Sequence, residues 1–151
     1  LGALVLASAL ASLVSSYVWG RLSDMSSRRV LMLTGVVGAL AMSAAVVLWY
    51  LGMAQAVWAM PAVLFVLMVA YHGVRQGRST YLVDMAPADS RASYAAVSNT
   101  VIGLLLLLAG VLGGGAALIG AQATLVLFAV MAVAAAVAAH WLPEVEHLEE
   151  G

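Results

Sequence analysis

Long apolar runs alternate with short polar segments along the whole chain. A helix needs roughly 20 residues to cross about 30 Å of hydrocarbon, and each apolar run reaches or approaches that length. The runs cover residues 1–19, 30–51, 57–82, 93–119 and 121–142. The third and fourth are long enough to tilt or to extend beyond the lipid. The pattern therefore predicts an all-α, polytopic membrane protein with five transmembrane helices.

The composition supports this prediction. Hydrophobic residues make up 65% of the chain and charged residues 9%, with a mean hydropathy of +1.08. Soluble globular domains contain far more charge, so the lipid bilayer is the expected partner. The chain has no cysteine, which excludes disulfides and thiolate metal sites, and its net charge of -1 gives no sign of nucleic-acid binding. We therefore predict no metal site, no cofactor and no nucleic-acid partner.

The connectors between the apolar runs are of two kinds. Residues 52–56 and 120–123 carry no charge, whereas residues 20–29, 83–92 and 143–151 carry nearly all of it. The six basic residues are all arginines, and they lie in or near the first two charged connectors. The positive-inside rule places these connectors in the cytoplasm. The acidic tail, 143–151, is then predicted to be cytoplasmic as well.

The chain begins at Leu1, which already lies inside an apolar run with no basic segment before it and no small-residue cleavage site after it. A signal peptide is therefore not expected. We expect the sequence to start within a spanning helix and to belong to a longer chain, whose N-terminal portion would lie on the outer side of the membrane.

The charged connector 20–29 reads GRLSDMSSRR. In one interpretation it is a short turn whose arginines set topology, with Gly20 where one helix ends and Asp24 near the start of the next. It also resembles the signature loop of the major facilitator superfamily: glycine, three residues, aspartate, a basic residue, any residue, glycine and two basic residues. The residues that match in spacing are Gly20, Asp24, Arg28 and Arg29. Met25 stands in the first basic position and Ser27 in that of the second glycine.

Asp84 and Arg91, with six residues between them, support the resemblance. Alone they belong to an ordinary polar loop in which Pro87 ends a helix. The superfamily often has an acidic residue, six residues and an arginine at this connector. The resemblance implies a network of ion pairs at the cytoplasmic helix ends that closes in one state and opens in another. This implied gate contains Gly20, Asp24, Arg28, Arg29, Asp84 and Arg91.

The resemblance also implies a place for the chain within a larger fold. One apolar run precedes the signature loop and four follow it, which fits a six-helix half that lacks its first helix. The short acidic tail after residues 141–143 favours the C-terminal half, although the signature loop occurs in both halves. The predicted organisation is a partial C-terminal half over residues 1–151, with a cytoplasmic tail at 143–151 and an N-terminal half of the same chain as partner.

Polar residues in the third and fourth runs are candidates for a solute cavity. They are His72, Arg75, Gln76 and Asn99. Ionisable residues in spanning helices usually face protein or water. A fixed positive charge suits an anionic or zwitterionic solute, and a histidine can carry a proton near neutral pH. The alternatives are that Arg75 and Arg78 extend to the membrane surface and that His72 and Asn99 bridge neighbouring helices.

The predicted function is transport of a small solute by a secondary transporter with alternating access, expected in the bacterial inner membrane. The segments GRSTYLVDMAP and SNTVIG look like those of bacterial permeases in this superfamily. One alternative is a protein of the same fold that does not transport, such as a pigment-delivery or sensor-like scaffold. Another is a five-helix scaffold that is complete as it stands. An enzyme is disfavoured because the three histidines are scattered and no His-x-x-Glu-His motif occurs, so no catalytic residue is predicted.

Overall fold

The computed structural model describes residues 2–145. It contains five long helices and two single turns of 3-10 helix, at Met53–Gln55 and Ala88–Ser90. The long helices are α1 (Gly2–Ser23), α2 (Ser27–Tyr50), α3 (Ala59–Met85), α4 (Arg91–Ala117) and α5 (Ala121–His140). Each is long and apolar enough to cross a membrane. The predicted all-α fold with five spanning helices is therefore confirmed.

Helix α2 lies at the centre of the bundle. It packs against α3 on one side and α5 on the other, while α1 packs mainly against α3. The buried residues of α2 include Thr34, Gly35 and Gly38. By contrast, α4 contacts chiefly α5, and Gly113 is its one buried residue. Most of the surface of α4 is thus free of contact with the other described helices.

Small residues bring the central helices close together. At Gly35 a Cβ would lie 2.8 Å from the Cβ of Ala136, so α2 and α5 approach almost backbone to backbone. At Gly73 a Cβ would lie 2.7 Å from Cε2 of Trp19 and would also overlap the methyl group of Thr34. Helices in membranes associate largely through such close packing, since lipid tails are as apolar as the side chains.

The turn between α1 and α2 differs from the prediction. Gly20 does not end α1, which continues to Ser23, and a Cβ at Gly20 would have no other atom within 4 Å. The prediction that the helix ends at this glycine was wrong. Ser26 begins α2 instead, because its side-chain oxygen accepts a hydrogen bond from the backbone N–H of Arg29 over 3.2 Å. Such a cap satisfies one of the donors that a helix start leaves free.

Candidate functional site

Three polar segments lie together at one end of the bundle, which we call the charged end. They are residues 24–26, 86–90 and 141–145, where α1, α3 and α5 end and α2 and α4 begin. Hydrogen bonds join the start of α2 and the end of α3 to the segment after α5.

Arg28, in the first turn of α2, joins that helix to the segment after α5. Its Nη1 donates to the carbonyl oxygen of Leu142 over 3.1 Å, and its Nη2 lies 3.1 Å from Oε1 of Glu144. The side chains of Arg28 and Glu144 are 26% and 31% exposed. The Nε of Arg28 is buried and has no acceptor among the described residues. The guanidinium is therefore held at two of its three nitrogens.

A second contact holds the same segment against α3. The hydroxyl of Tyr81 donates to the carbonyl oxygen of Pro143 over 3.3 Å, and Val145 is buried. We call Leu142–Val145 the tail segment. Sequence reasoning did not identify Glu144 as a partner of Arg28. The available signal was an acidic residue directly after Pro143, on the side of the membrane predicted for the arginines.

The other members of the predicted gate also lie at the charged end or next to it. Asp84 is half-buried and engaged in an interaction with the protein. Arg91 spans the connector between α3 and α4, because its Nε donates to the carbonyl oxygen of Ala86 over 3.3 Å. Asp24 and Arg29 are exposed. The exchange of ion pairs among these residues stays a prediction.

The polar residues of α3 form one continuous face. At 100° per residue, His72, Arg75, Gln76 and Ser79 fall within about a third of the helix circumference. Arg75 and Gln76 are exposed, and His72 is half-buried with its ring edge-on to Tyr71, the two centroids being 5.5 Å apart. The helix thus turns a polar stripe away from its packed side.

Asn99 lies on α4 and is also exposed. Helices α3 and α4 touch only lightly, so Asn99 and the polar stripe of α3 lie on two loosely packed helices. That these residues share one solute cavity stays a prediction.

A junction that sequence reasoning missed lies behind the polar stripe. The indole Nε1 of Trp19 donates to the carbonyl oxygen of Val69 over 2.8 Å, and the ring covers Gly73, the residue after His72. Thr34 of α2 meets the same glycine. The junction fixes α1, α2 and α3 relative to one another and thereby sets the direction of the polar stripe.

A cleft of about 640 Å³ opens between α3 and α4 at the charged end. Its lining includes Arg78, Tyr81 and Tyr94, and Arg78 is its one charged residue. The stripe residues His72 and Arg75 do not line this cleft. At 100° per residue Arg78 lies about 60° around the helix from Arg75, so the cleft lies beside the polar stripe.

No group of three or more His, Asp or Glu residues between positions 2 and 145 is arranged to hold a metal ion. Arginine, histidine and amide side chains can bind and orient a polar solute without a cofactor.

The comparisons with known proteins agree with the fold. A family model described as Major Facilitator Superfamily matches residues 1–151. Comparisons with curated proteins and with solved structures gave no match. Members of the superfamily are multi-pass membrane proteins that transport small solutes, which fits five spanning helices with polar stripes. The chain belongs to the major facilitator superfamily.

Proposed function

We propose that the protein is a secondary transporter that works by alternating access, and that these helices form most of its C-terminal half. The observation that carries the proposal is the exposure of Arg75 and Gln76 on α3 and of Asn99 on α4. Exposed to hydrocarbon, a charge or an amide would be costly, so these side chains need water or protein beside them. A water-filled cavity between two halves provides that environment.

The weak packing of α4 supports a partner unit. Its one buried residue is Gly113, and its polar residues Ser98, Asn99 and Thr100 stand within an otherwise apolar helix. A second bundle of helices packed along α4 would cover these groups and complete the cavity. In the proposed assembly that bundle is the N-terminal half of the same chain.

The charged end is proposed to face the cytoplasm, since the arginines are concentrated there. Asp24, Arg28, Arg29, Asp84 and Arg91 then form a cytoplasmic gate whose ion pairs exchange as the halves rock. Partly desolvated ion pairs suit this task, because they add little net stability but depend strongly on geometry. The proposed membrane is the bacterial inner membrane.

The proposed solute is anionic or zwitterionic. Arg75 gives the stripe a fixed positive charge, and neither Asp nor Glu occurs among the other residues of that stripe. His72, half-buried on the same stripe, is the proposed proton carrier.

The test is uptake into proteoliposomes that contain the native gene product. The panel consists of radiolabelled anionic, zwitterionic and cationic solutes, each with and without a proton gradient. We expect uptake of an anionic or zwitterionic solute, and a loss of at least tenfold in Arg75→Gln. Arg21→Gln is the matched control, because Arg21 is exposed and its Nη1 donates to the hydroxyl of Tyr17 in the same helix. Uptake restricted to cations, or equal losses in both variants, would contradict the proposed solute.

A further inference from the structure

Polar contacts at three successive residues hold the tail segment to the bundle. Leu142 accepts from Arg28, Pro143 accepts from Tyr81, and Glu144 pairs with Arg28. Val145 is buried and adds an apolar anchor. Together these contacts join the end of α5 to the start of α2 and the end of α3.

Two features indicate that this attachment can open. Both side chains of the Arg28–Glu144 pair are partly exposed, so water competes for the pair. The Nε of Arg28 is buried without an acceptor among the described residues, and such an unsatisfied donor lowers the stability of the closed arrangement. Segments with few buried contacts open locally before the rest of the fold.

The same geometry limits what else Arg28 can bind. A carboxylate that binds arginine through two parallel hydrogen bonds needs two guanidinium nitrogens on the same edge of the group. Both Nη1 and Nη2 already donate to the tail segment. A carboxylate from another helix that binds the Nη1–Nη2 edge of Arg28 must therefore displace Leu142 or Glu144, and the other edge of the guanidinium includes the buried Nε.

We propose that the tail segment is a releasable latch, and that Glu144 is a positioning residue that withholds Arg28 from the cytoplasmic gate until the latch opens. The latch itself depends only on the contacts described above. The withholding role rests on the proposed function, since it requires a gate in which Arg28 takes another partner.

The latch is tested by hydrogen–deuterium exchange of the native gene product in lipid nanodiscs. Glu144→Gln removes the charge, and Glu144→Asp keeps it. Asp89→Asn is the matched control, because Asp89 is an exposed carboxylate at the same end. We expect exchange in peptides covering 141–145 to rise about fivefold in Glu144→Gln, and to return most of the way in Glu144→Asp. Unchanged exchange in Glu144→Gln, or an equal rise in Asp89→Asn, would overturn the latch.

The withholding role is tested by the direction of a conformational shift. A Gln76→Cys reporter suits this test, because the chain has no cysteine and Gln76 is exposed. If Glu144 competes with the gate for Arg28, Glu144→Gln frees Arg28 to strengthen the gate and slows labelling of the reporter from the charged end. Asp84→Asn weakens the gate and has the opposite effect. A shift in the same direction, or none, overturns the withholding role. If Asp84→Asn also leaves the labelling rate unchanged, the proposed gate is contradicted as well. The latch is still tested separately by the hydrogen–deuterium exchange rates.

Discussion

The indole Nε1 of Trp19 donates a hydrogen bond to the carbonyl oxygen of Val69 over 2.8 Å. This bond joins α1 to the middle of α3, one turn before Gly73, where the same ring fills the space that the glycine leaves. The polar stripe of α3 begins beside this contact, at His72. Any rigid-body movement of α3 must therefore carry α1 with it.

Replacing Trp19 with phenylalanine should show what the junction contributes. Trp19→Phe keeps an aromatic ring but removes the donor and part of the buried indole that packs on Gly73, so we expect a loss of about 1 kcal/mol or more in the free energy of unfolding. Trp141→Phe is the control, since Trp141 is 82% exposed. Thermal unfolding in detergent measures both variants, and equal stabilities would show that the bond contributes nothing measurable.

Gly73→Ala should destabilise the bundle through overpacking. The added Cβ would overlap the Thr34 methyl group and lie 2.7 Å from Cε2 of Trp19, so three helices would have to shift. We expect a loss of about 1–3 kcal/mol. Gly38→Ala tests the specificity of this effect, because its Cβ would meet Ala70 at an ordinary 3.8 Å. Chemical denaturation measures the free energy of unfolding of both variants. A loss of stability in Gly38→Ala as large as that in Gly73→Ala would contradict overpacking at Gly73 as the cause.

The five helices could be predicted from sequence because each long apolar run must form helix to satisfy its backbone in lipid. The position of the first turn could not be predicted from Gly20, since the cap at Ser26 decides where α2 starts. The Arg28–Glu144 contact joins residues far apart in sequence, and only the path of the chain after α5 brings them together. Spacing predicted that the polar residues of α3 share a face, but the direction of that face depends on how Trp19 packs.

Asp84→Asn should shift the balance between the two states of the proposed alternating-access cycle. Loss of the carboxylate weakens the proposed gate by about 1 kcal/mol, which corresponds to about a fivefold change in the equilibrium. We expect faster labelling of a Gln76→Cys reporter from the charged end. Asp89→Asn, which changes an exposed carboxylate nearby, should leave the rate unchanged. Equal labelling rates in Asp84→Asn and in the unaltered background would remove Asp84 from the gate.

The polar stripe of α3 should be accessible to water, whereas the face of α3 that carries Val74 should not. Gln76 and Val74 are both exposed in the structure but point about 160° apart, on nearly opposite faces of α3, and each is replaced by a single cysteine. We expect a water-soluble maleimide to modify Gln76→Cys at least tenfold faster than Val74→Cys in intact membranes. Denatured protein provides the reference rate for each cysteine. Similar rates in the membrane would show that water is not confined to the stripe.

The central claim is that the stripe opens in turn to the two sides of the membrane. The most direct test labels Gln76→Cys with an impermeant maleimide in right-side-out and in inside-out vesicles containing the native gene product. The account predicts modification from both sides, with Asp84→Asn increasing the rate from the charged end and decreasing it from the other. Modification from a single side, at a rate that Asp84→Asn does not change, would contradict alternating access.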